Sequence, residues 1–197
     1  MPSSSRRVLA ILGPLACVLL LSTSAHATPI TFHTTMLGSN VVPPNASPAV
    51  GSADVTIDGD SLMMSLIWSG LIGGPATAGH LHCCAPPGSA GSLAVTFPGF
   101  PLATSGSYTH VFDMTDPTIY VVNFRNTVGG GTAAGAEAAL IASMVGGLAY
   151  LDMPDAGFST GEIRGQLGPV PEPATLTLVG LGLAGAAFRR SRRRSRR

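Results

Sequence analysis

The sequence predicts a mostly β protein, a sandwich or barrel of short antiparallel strands with one short helix. Glycine and proline are abundant, at 25 and 16 of 197 residues, and they punctuate a series of short apolar runs. Several runs alternate polar and apolar residues with period two, as strands with one buried face do. Regularly spaced short strands with turn residues between them are typical of all-β sandwiches and barrels.

The clearest pair of strands is a hairpin. Val55 and Ile57 alternate with polar neighbours, and Asp58, Gly59 and Asp60 then predict a tight turn into a second apolar run. The other apolar runs are interpreted in the same way. The predicted strands are 30–37, 53–58, 62–68, 93–97, 108–112, 119–124, 148–153 and 162–167.

One helix is predicted over residues 133–144, an alanine-rich stretch. Thr132 precedes it and can accept hydrogen bonds from the free N–H groups of the first turn. Gly146 and Gly147 follow it and end the helix.

The segment 28–168 is acidic. It holds two arginines, no lysine and nine carboxylates, a formal charge of −7, although the whole chain is close to neutral at +1. Binding to double-stranded nucleic acid requires a basic surface, so no nucleic-acid partner is expected.

Residues 1–27 have the order of a signal peptide. Two arginines precede an apolar run over 8–21, and Ala25 and Ala27 are small residues two apart, the pattern that signal peptidase accepts. Cleavage leaves Thr28 first. The alternative is a retained membrane helix, but about 14 apolar residues interrupted by a proline fall short of the roughly 20 that a span requires.

Residues 169–197 combine three features in order. Pro171, Glu172 and Pro173 come first, an uncharged apolar segment over 174–188 follows, and an arginine-rich end over 189–197 begins with Arg189 and Arg190. A helix of fifteen residues covers about 22 Å, which favours a transient transmembrane helix over a permanent anchor. Arginines stay on the cytoplasmic side, so the C-terminus is expected in the cytoplasm and the preceding domain beyond the inner membrane. A basic nucleic-acid-binding tail is the competing explanation.

This C-terminal pattern closely resembles the PEP-CTERM sorting signal. The resemblance implies processing by an exosortase, a membrane enzyme of Gram-negative cells that make exopolysaccharide. Signal peptidase, exosortase and the inner membrane are therefore the expected processing partners. The expected location is the periplasm, the outer surface or the extracellular matrix of a biofilm.

Four fragments of the middle segment are similar to the CHRD domain: 40–44 (NVVPP), 78–82 (AGHLH), 149–151 (AYL) and 161–167 (GEIRGQL). The resemblance spans about 130 residues. It implies an immunoglobulin-like antiparallel β-sandwich and binding of a protein, but no general activity in bacteria. Fold-level similarity alone does not assign a function.

Metal-ligating side chains are concentrated in one place, residues 80–84. On a strand, His80, His82 and Cys84 share a face, and imidazole and thiolate suit zinc or copper. The His-x-His strand is similar to that of copper-zinc superoxide dismutases. CHRD sequences commonly carry a third histidine two residues after an asparagine, and the positions here are Asp152 and Pro154, so Asp152 is a possible fourth ligand. His33 and His110 are further candidates that spacing cannot place.

The simpler interpretation is structural: the two histidines hydrogen-bond the backbone, the cysteines pack, and there is no cofactor. The sequence favours it, because short motifs often match by chance. Glu162 and Arg164 lie two apart on a predicted strand and are expected to form a structural ion pair.

The first functional hypothesis is thus a non-enzymatic envelope module, sorted through its tail, that binds protein or exopolysaccharide. The second is a copper- or zinc-binding β-sandwich, with a dismutase-like enzyme as its most specific form. The sequence contains no motif of another catalytic class.

Overall fold

The computed structural model describes residues 28–170, 179–183 and 185. Nine strands and two α-helices follow one another along the domain, with a short 3-10 helix (Gly38–Asn40) after the first strand. They are β1 (Ile30–Leu37), β2 (Val50–Asp58), β3 (Ser61–Ser69), β4 (His80–Cys83), β5 (Ser92–Thr96), β6 (Gly106–Asp113), α1 (Val122–Thr127), α2 (Ala133–Val145), β7 (Tyr150–Met153), β8 (Ile163–Gln166) and β9 (Gly168–Pro169).

The strands form one continuous antiparallel sheet. Its order is β5-β4-β7-β8-β1-β2-β3-β6, and β9 pairs with the start of β1. The sheet curls over a shared core: Phe97, which follows β5, stacks on Tyr108 of β6 with ring centroids 5.4 Å apart. The two halves of the sheet therefore face each other as in a sandwich, and the mostly β prediction is confirmed.

Alternation of side chains explains the longest strands. Residues of β2 and β3 are alternately buried and exposed along their whole length, as period-two patterning requires. Asp58 pairs with Ser61 across a two-residue loop, and Gly59 in that loop has φ of +56°. The predicted hairpin is confirmed, with glycine at the position that needs a positive φ.

The predicted strand over 119–124 is wrong. Tyr120 makes only an isolated bridge to Val95, and α1 begins two residues later. Tyr120 is buried just before the helix, and Phe124 is the buried residue of α1. The sequence therefore underestimated the helical content of this segment.

The predicted helix over 133–144 is confirmed as α2. The hydroxyl of Thr132 accepts a hydrogen bond from the N–H of Gly135 at 3.0 Å, which is the expected N-terminal cap. Gly147 follows the helix with φ of +67°.

Several sequence predictions fall outside the described residues. They are the signal peptide with Ala25 and Ala27, and the sorting residues Pro171, Glu172, Pro173, Arg189 and Arg190. Positions 179–183 and 185 of the predicted tail helix are helical. In the part of the chain that is described, no helix has the length and apolar character needed to cross a membrane.

Candidate metal centre

Two neighbouring strands build the candidate centre. β4 pairs with β7 so that His80 lies opposite Asp152 and His82 lies opposite Tyr150. Because residues two apart on a strand share a face, all four side chains lie on the same side of the sheet. Leu81 and Leu151, between them, point to the other side and are fully buried in the core.

The two histidines converge on one carboxylate. His80 Nδ1 is 3.2 Å from Asp152 Oδ1, and His82 Nε2 is 3.1 Å from Asp152 Oδ2. Ligating atoms of the three residues all lie within 4.8 Å of one another. In a tetrahedral zinc site with bonds of about 2.0–2.1 Å, ligand atoms are about 3.4 Å apart. The cluster therefore has nearly the dimensions of a metal-ligand set.

The hydrogen bonds of His82 identify which of its ring nitrogens is free to bind a metal. Nδ1 is 3.1 Å from the carbonyl oxygen of Gly91, which can only accept, so Nδ1 carries the proton. Nε2 is buried and makes no hydrogen bond with proper alignment, although it faces the Asp152 carboxylate. A bare Nε2 lone pair against a carboxylate is repulsive unless a proton or a cation lies between them. Metal-ligating histidines commonly donate their other N–H to a backbone carbonyl in this way.

Asp152 is the anionic member of the cluster and is only 7% exposed. Burial pushes its pKa up, but the polar contacts with the imidazoles of His80 and His82 outweigh that effect, so the pKa of Asp152 is below its ordinary value. The carboxylate is thus ionised at neutral pH, the form in which it ligates a cation.

Cys84 does not join this cluster, and its placement beside His80 and His82 is wrong. β4 ends at Cys83, and Cys84 takes a φ of +75°, so the alternation of faces stops before it. Its sulfur is bonded to that of Cys83 in a disulfide between adjacent residues. A disulfide sulfur is not a thiolate and has lost the chemistry on which the predicted ligation depended.

The other two histidines of the described part lie elsewhere. His33 Nδ1 contacts Asp54 Oδ1 at 2.8 Å on the surface, where both side chains are about half exposed or more. His110 packs between Tyr108 and Phe112 on β6. Neither belongs to the group formed by His80, His82 and Asp152.

An aromatic stack extends from the centre. Tyr150 lies parallel to His82 with ring centroids 4.6 Å apart, and the guanidinium carbon of Arg164 lies 3.4 Å from the centroid of the Tyr150 ring. Gly91 ties the stack to the loop before β5, because its N–H donates to the Tyr150 hydroxyl at 3.0 Å while its carbonyl binds His82. The pKa of Tyr150 is raised, chiefly by burial.

The predicted ion pair between Glu162 and Arg164 is wrong. Glu162 comes just before β8 and is turned toward the loop after β3, where it accepts hydrogen bonds from the N–H groups of Ile72 and Gly73 and from the Ser47 hydroxyl. Arg164 instead donates to the carbonyl of Ser89 at 2.8 Å. The period-two argument fails because Glu162 precedes the regular strand.

Glu162 forms a different buried pair, with Asp155. Asp155 Oδ1 accepts from the N–H groups of Gly157 and Phe158, while its Oδ2 is buried without a hydrogen-bond partner. Burial and the neighbouring Glu162 raise the pKa of Asp155. Burial also acts to raise the pKa of Glu162, but its hydrogen bonds outweigh that effect and lower it. The opposite directions of the two pKa shifts favour protonation of Asp155 before Glu162.

The sequence carries a further signal for the centre. Tyr150 and Asp152 are two apart on a predicted strand, as are His80 and His82, so each strand presents one polar pair on one face. In the structure, Asp152 is a central member of the cluster rather than an accessory ligand, and Tyr150 stacks on His82 beside it. The sequence does not show that β4 and β7 are neighbouring strands, because they are far apart along the chain. Between Ala85, just after β4, and Asp152 of β7 lie 66 residues.

Comparison with known families agrees with this architecture. The model of the CHRD domain matches residues 32–167, more than half of the chain. The chain belongs to the CHRD family. The centre and the stack both lie within the CHRD domain, and a PEP-CTERM protein-sorting motif matches residues 169–194. No curated protein and no solved structure matches the chain.

The two matches together characterise the protein as an exported one that exosortase sorts through its tail. They leave the ligand of the CHRD domain to be argued from its own residues.

Proposed function

We propose that the CHRD domain is a non-catalytic metal-binding module of the cell envelope, and that His80, His82 and Asp152 hold one zinc or copper ion. The observation that carries the proposal is the buried Nε2 of His82, which faces the Asp152 carboxylate at 3.1 Å without a hydrogen bond. A cation between the two atoms converts a repulsive contact into two coordination bonds.

The donor set fits a borderline cation. Two imidazoles suit zinc and copper, and the ionised carboxylate offsets part of the charge of the ion. The backbone carbonyl of Gly91 orients His82, and the parallel ring of Tyr150 restricts its rotation. Two histidines with one carboxylate also occur at non-haem iron sites, so ferrous iron belongs among the metals tested.

We propose binding rather than catalysis because Tyr150, the titratable side chain that stacks on the candidate ligand His82, is poorly suited to proton transfer at neutral pH. Burial raises the pKa of Tyr150 above an already high ordinary value, and its hydroxyl accepts a hydrogen bond from Gly91. A metal centre without a proton donor beside it is suited to storing or sensing a metal, or to stabilising the domain.

The PEP-CTERM motif, which implies export and processing by exosortase, supports a location for this binding. We propose that signal peptidase also processes the chain, that its C-terminal segment spans the membrane transiently, and that the CHRD domain acts in the periplasm or beyond. We further propose that the domain is retained in the surface matrix by binding protein or exopolysaccharide.

The test is metal stoichiometry and affinity of the full chain, purified in detergent and stripped with a chelator. Titration with Zn(II), Cu(II) and Fe(II), each followed by calorimetry and elemental analysis, is expected to give one ion of zinc or copper per chain. The double variant His80→Ala with His82→Ala and the single variant Asp152→Asn are each expected to bind at least about tenfold more weakly, since loss of one ligand or its support typically costs that much.

The matched control is the exposed pair His33 and Asp54, which has the same chemical groups at 2.8 Å without a second histidine. His33→Ala is expected to leave stoichiometry and affinity unchanged. Absence of any stoichiometric metal in the folded parent protein would contradict the proposal. Equal loss in the His33 variant would show that binding is distributed over the acidic surface.

A further inference from the structure

We infer that Arg164 is the recognition residue of a second site, which binds the carboxylate of an acidic sugar in the cavity lined by Thr34, Thr35, Asn40 and Gln166. This site goes beyond the metal centre and requires no metal. It gives the CHRD domain a ligand of a different chemical class.

Arg164 carries a buried charge without an anionic partner. Only 4% of the residue is exposed, and none of the ion pairs among the described residues includes it. Asp152 lies opposite Arg164 on β7 and its charge favours the guanidinium, but its two oxygens contact His80 and His82 and form no ion pair with Arg164. Burying a guanidinium is costly unless hydrogen bonds and a counter-charge compensate, so an anion in direct contact with it would be stabilised.

Two N–H-bearing atoms of the guanidinium remain available. Nη2 donates to the Ser89 carbonyl at 2.8 Å and to Gln166 Oε1 at 3.3 Å, and the face of the group rests on Tyr150. Nη1 and Nε have no acceptor within the described part of the domain. They are not among its buried unpartnered atoms, which are His82 Nε2 and Asp155 Oδ2, so both have solvent access. Both two-point edges of a guanidinium include Nη2, so Nη1 and Nε act separately, and each can donate a single charge-assisted hydrogen bond to a carboxylate.

The cavity beside Arg164 has a volume of about 400 Å³. Most of its wall is apolar, with contributions from Val41, Val42, Pro44 and Pro87, and polar groups are set among these side chains. Thr35 and Ser39 offer hydroxyls and Asn40 offers an amide. The Thr34 hydroxyl and the Gln166 amide also line the cavity but already hydrogen-bond within the domain. Hydroxyl-rich ligands with a compact apolar face match such a wall, and the volume lies within the usual range for small-ligand sites.

A peptide is less well matched to this cavity than a sugar. Extended peptides commonly bind by adding a strand to an exposed sheet edge. Here β1 is paired with β2 along its whole length on one side, and on the other side with β9 at Phe32 and His33 and with β8 at Leu37. The stretch of β1 left without a partner on that side is only residues 34–36, which is short for an added strand. Recognition therefore rests mainly on side chains, which favours a ligand bearing hydroxyls and one carboxylate.

The second site adjoins the metal centre but is separate from it. Arg164 and Val42 line both this cavity and a neighbouring one of about 290 Å³, whose wall includes His80, His82 and Asp152. None of the three candidate metal ligands lines the larger cavity. Sugar binding and metal binding can consequently be tested one without the other.

The probe is D-glucuronate, with D-glucose as the matched neutral sugar and a short glutamate-containing peptide as the protein-like competitor. Binding to the full chain in detergent is measured by saturation-transfer NMR and calorimetry in the presence of EDTA. We expect glucuronate to bind at least tenfold more tightly than either glucose or the peptide. Arg164→Gln is expected to reduce glucuronate binding at least tenfold, and Arg125→Gln, the other arginine of the domain, to change it less than twofold.

Because Arg164 is buried, its variant is first checked by circular dichroism for a native fold. Should it not fold, Thr35→Tyr serves instead: Thr35 is exposed on β1, tyrosine is a good strand residue, and its ring fills the cavity while Arg164 stays. Loss of glucuronate binding in this variant supports the site. Equal binding of glucose, tighter binding of the peptide, or unchanged binding in either folded variant would overturn it.

Discussion

The rings of His82 and Tyr150 lie parallel, 4.6 Å apart with an interplanar angle of 5°, and the single residue Gly91 holds both. Its carbonyl accepts from the imidazole and its N–H donates to the phenol. The candidate metal ligand and the aromatic platform of Arg164 therefore depend on the position of one glycine in the loop before β5.

Gly91→Ala is expected to disturb both contacts. A methyl group at this position meets the Cys83 carbonyl oxygen, which belongs to the backbone and cannot move aside easily. Overpacking of this kind costs about 1–3 kcal/mol, to be measured by urea unfolding. Metal affinity should fall as well, because His82 loses its orienting carbonyl. Gly168→Ala is the control, since a Cβ there contacts nothing; equal behaviour of the two variants would contradict the role of Gly91.

Replacement of both cysteines, Cys83→Ser with Cys84→Ser, is expected to leave metal affinity within about twofold of the parent. Neither sulfur is a free thiolate, and neither belongs to the cluster of His80, His82 and Asp152. The effect on stability should be small too, because the disulfide closes the shortest possible loop. A large loss of zinc or copper binding in this variant would restore Cys84 as a ligand.

A rise in pH above the ordinary pKa of a carboxyl group is expected to weaken the fold through Asp155. The pKa of Asp155 is raised in the folded protein, so the stability that its proton provides is complete below its unfolded pKa and is lost as pH rises through the raised folded value. Above that value two buried carboxylates face each other. Asp155→Asn retains a donor toward Glu162 and should flatten the decline, as measured by thermal unfolding across the pH range. An unchanged pH profile in this variant would exclude Asp155 as its source.

Substitution of the sorting motif is expected to block maturation. Glu172→Ala with Pro173→Ala alters the segment preceding the tail helix within the match to the sorting motif, so exosortase should no longer process the protein. Immunoblots of fractionated cells should then show a longer, membrane-retained form. Normal processing of this variant would indicate that the remaining tail is sufficient for recognition.

Local patterning was enough to predict most of the elements. The hairpin at Gly59, the cap at Thr132 and the strand start at Ile30 all depend on neighbouring residues, and all three are found. The strand prediction for residues 119–124 failed because the same apolar spacing suits a strand or a short helix.

Only part of the candidate metal centre could be predicted from the sequence, for a different reason than at residues 119–124. His80 and His82 are recognisable from their spacing, whereas their contact with Asp152 depends on the pairing of β4 with β7, which no local pattern encodes. Cys84 lies outside the cluster because the alternation of faces ends with β4 at Cys83. Arg164 contacts Tyr150 and Ser89 rather than Glu162, although Glu162 is two residues away in the sequence.

The last strand of the domain has a mechanical consequence. β9 is two residues long and pairs with Phe32 and His33, and the N–H of Val170 binds the Thr31 carbonyl at 2.8 Å. The chain thus leaves the domain beside the point where it enters. Tension applied from a surface-bound tail would reach this short seam first and peel it open, sparing the long ladders between β1, β2 and β3 that keep the rest of the molecule intact.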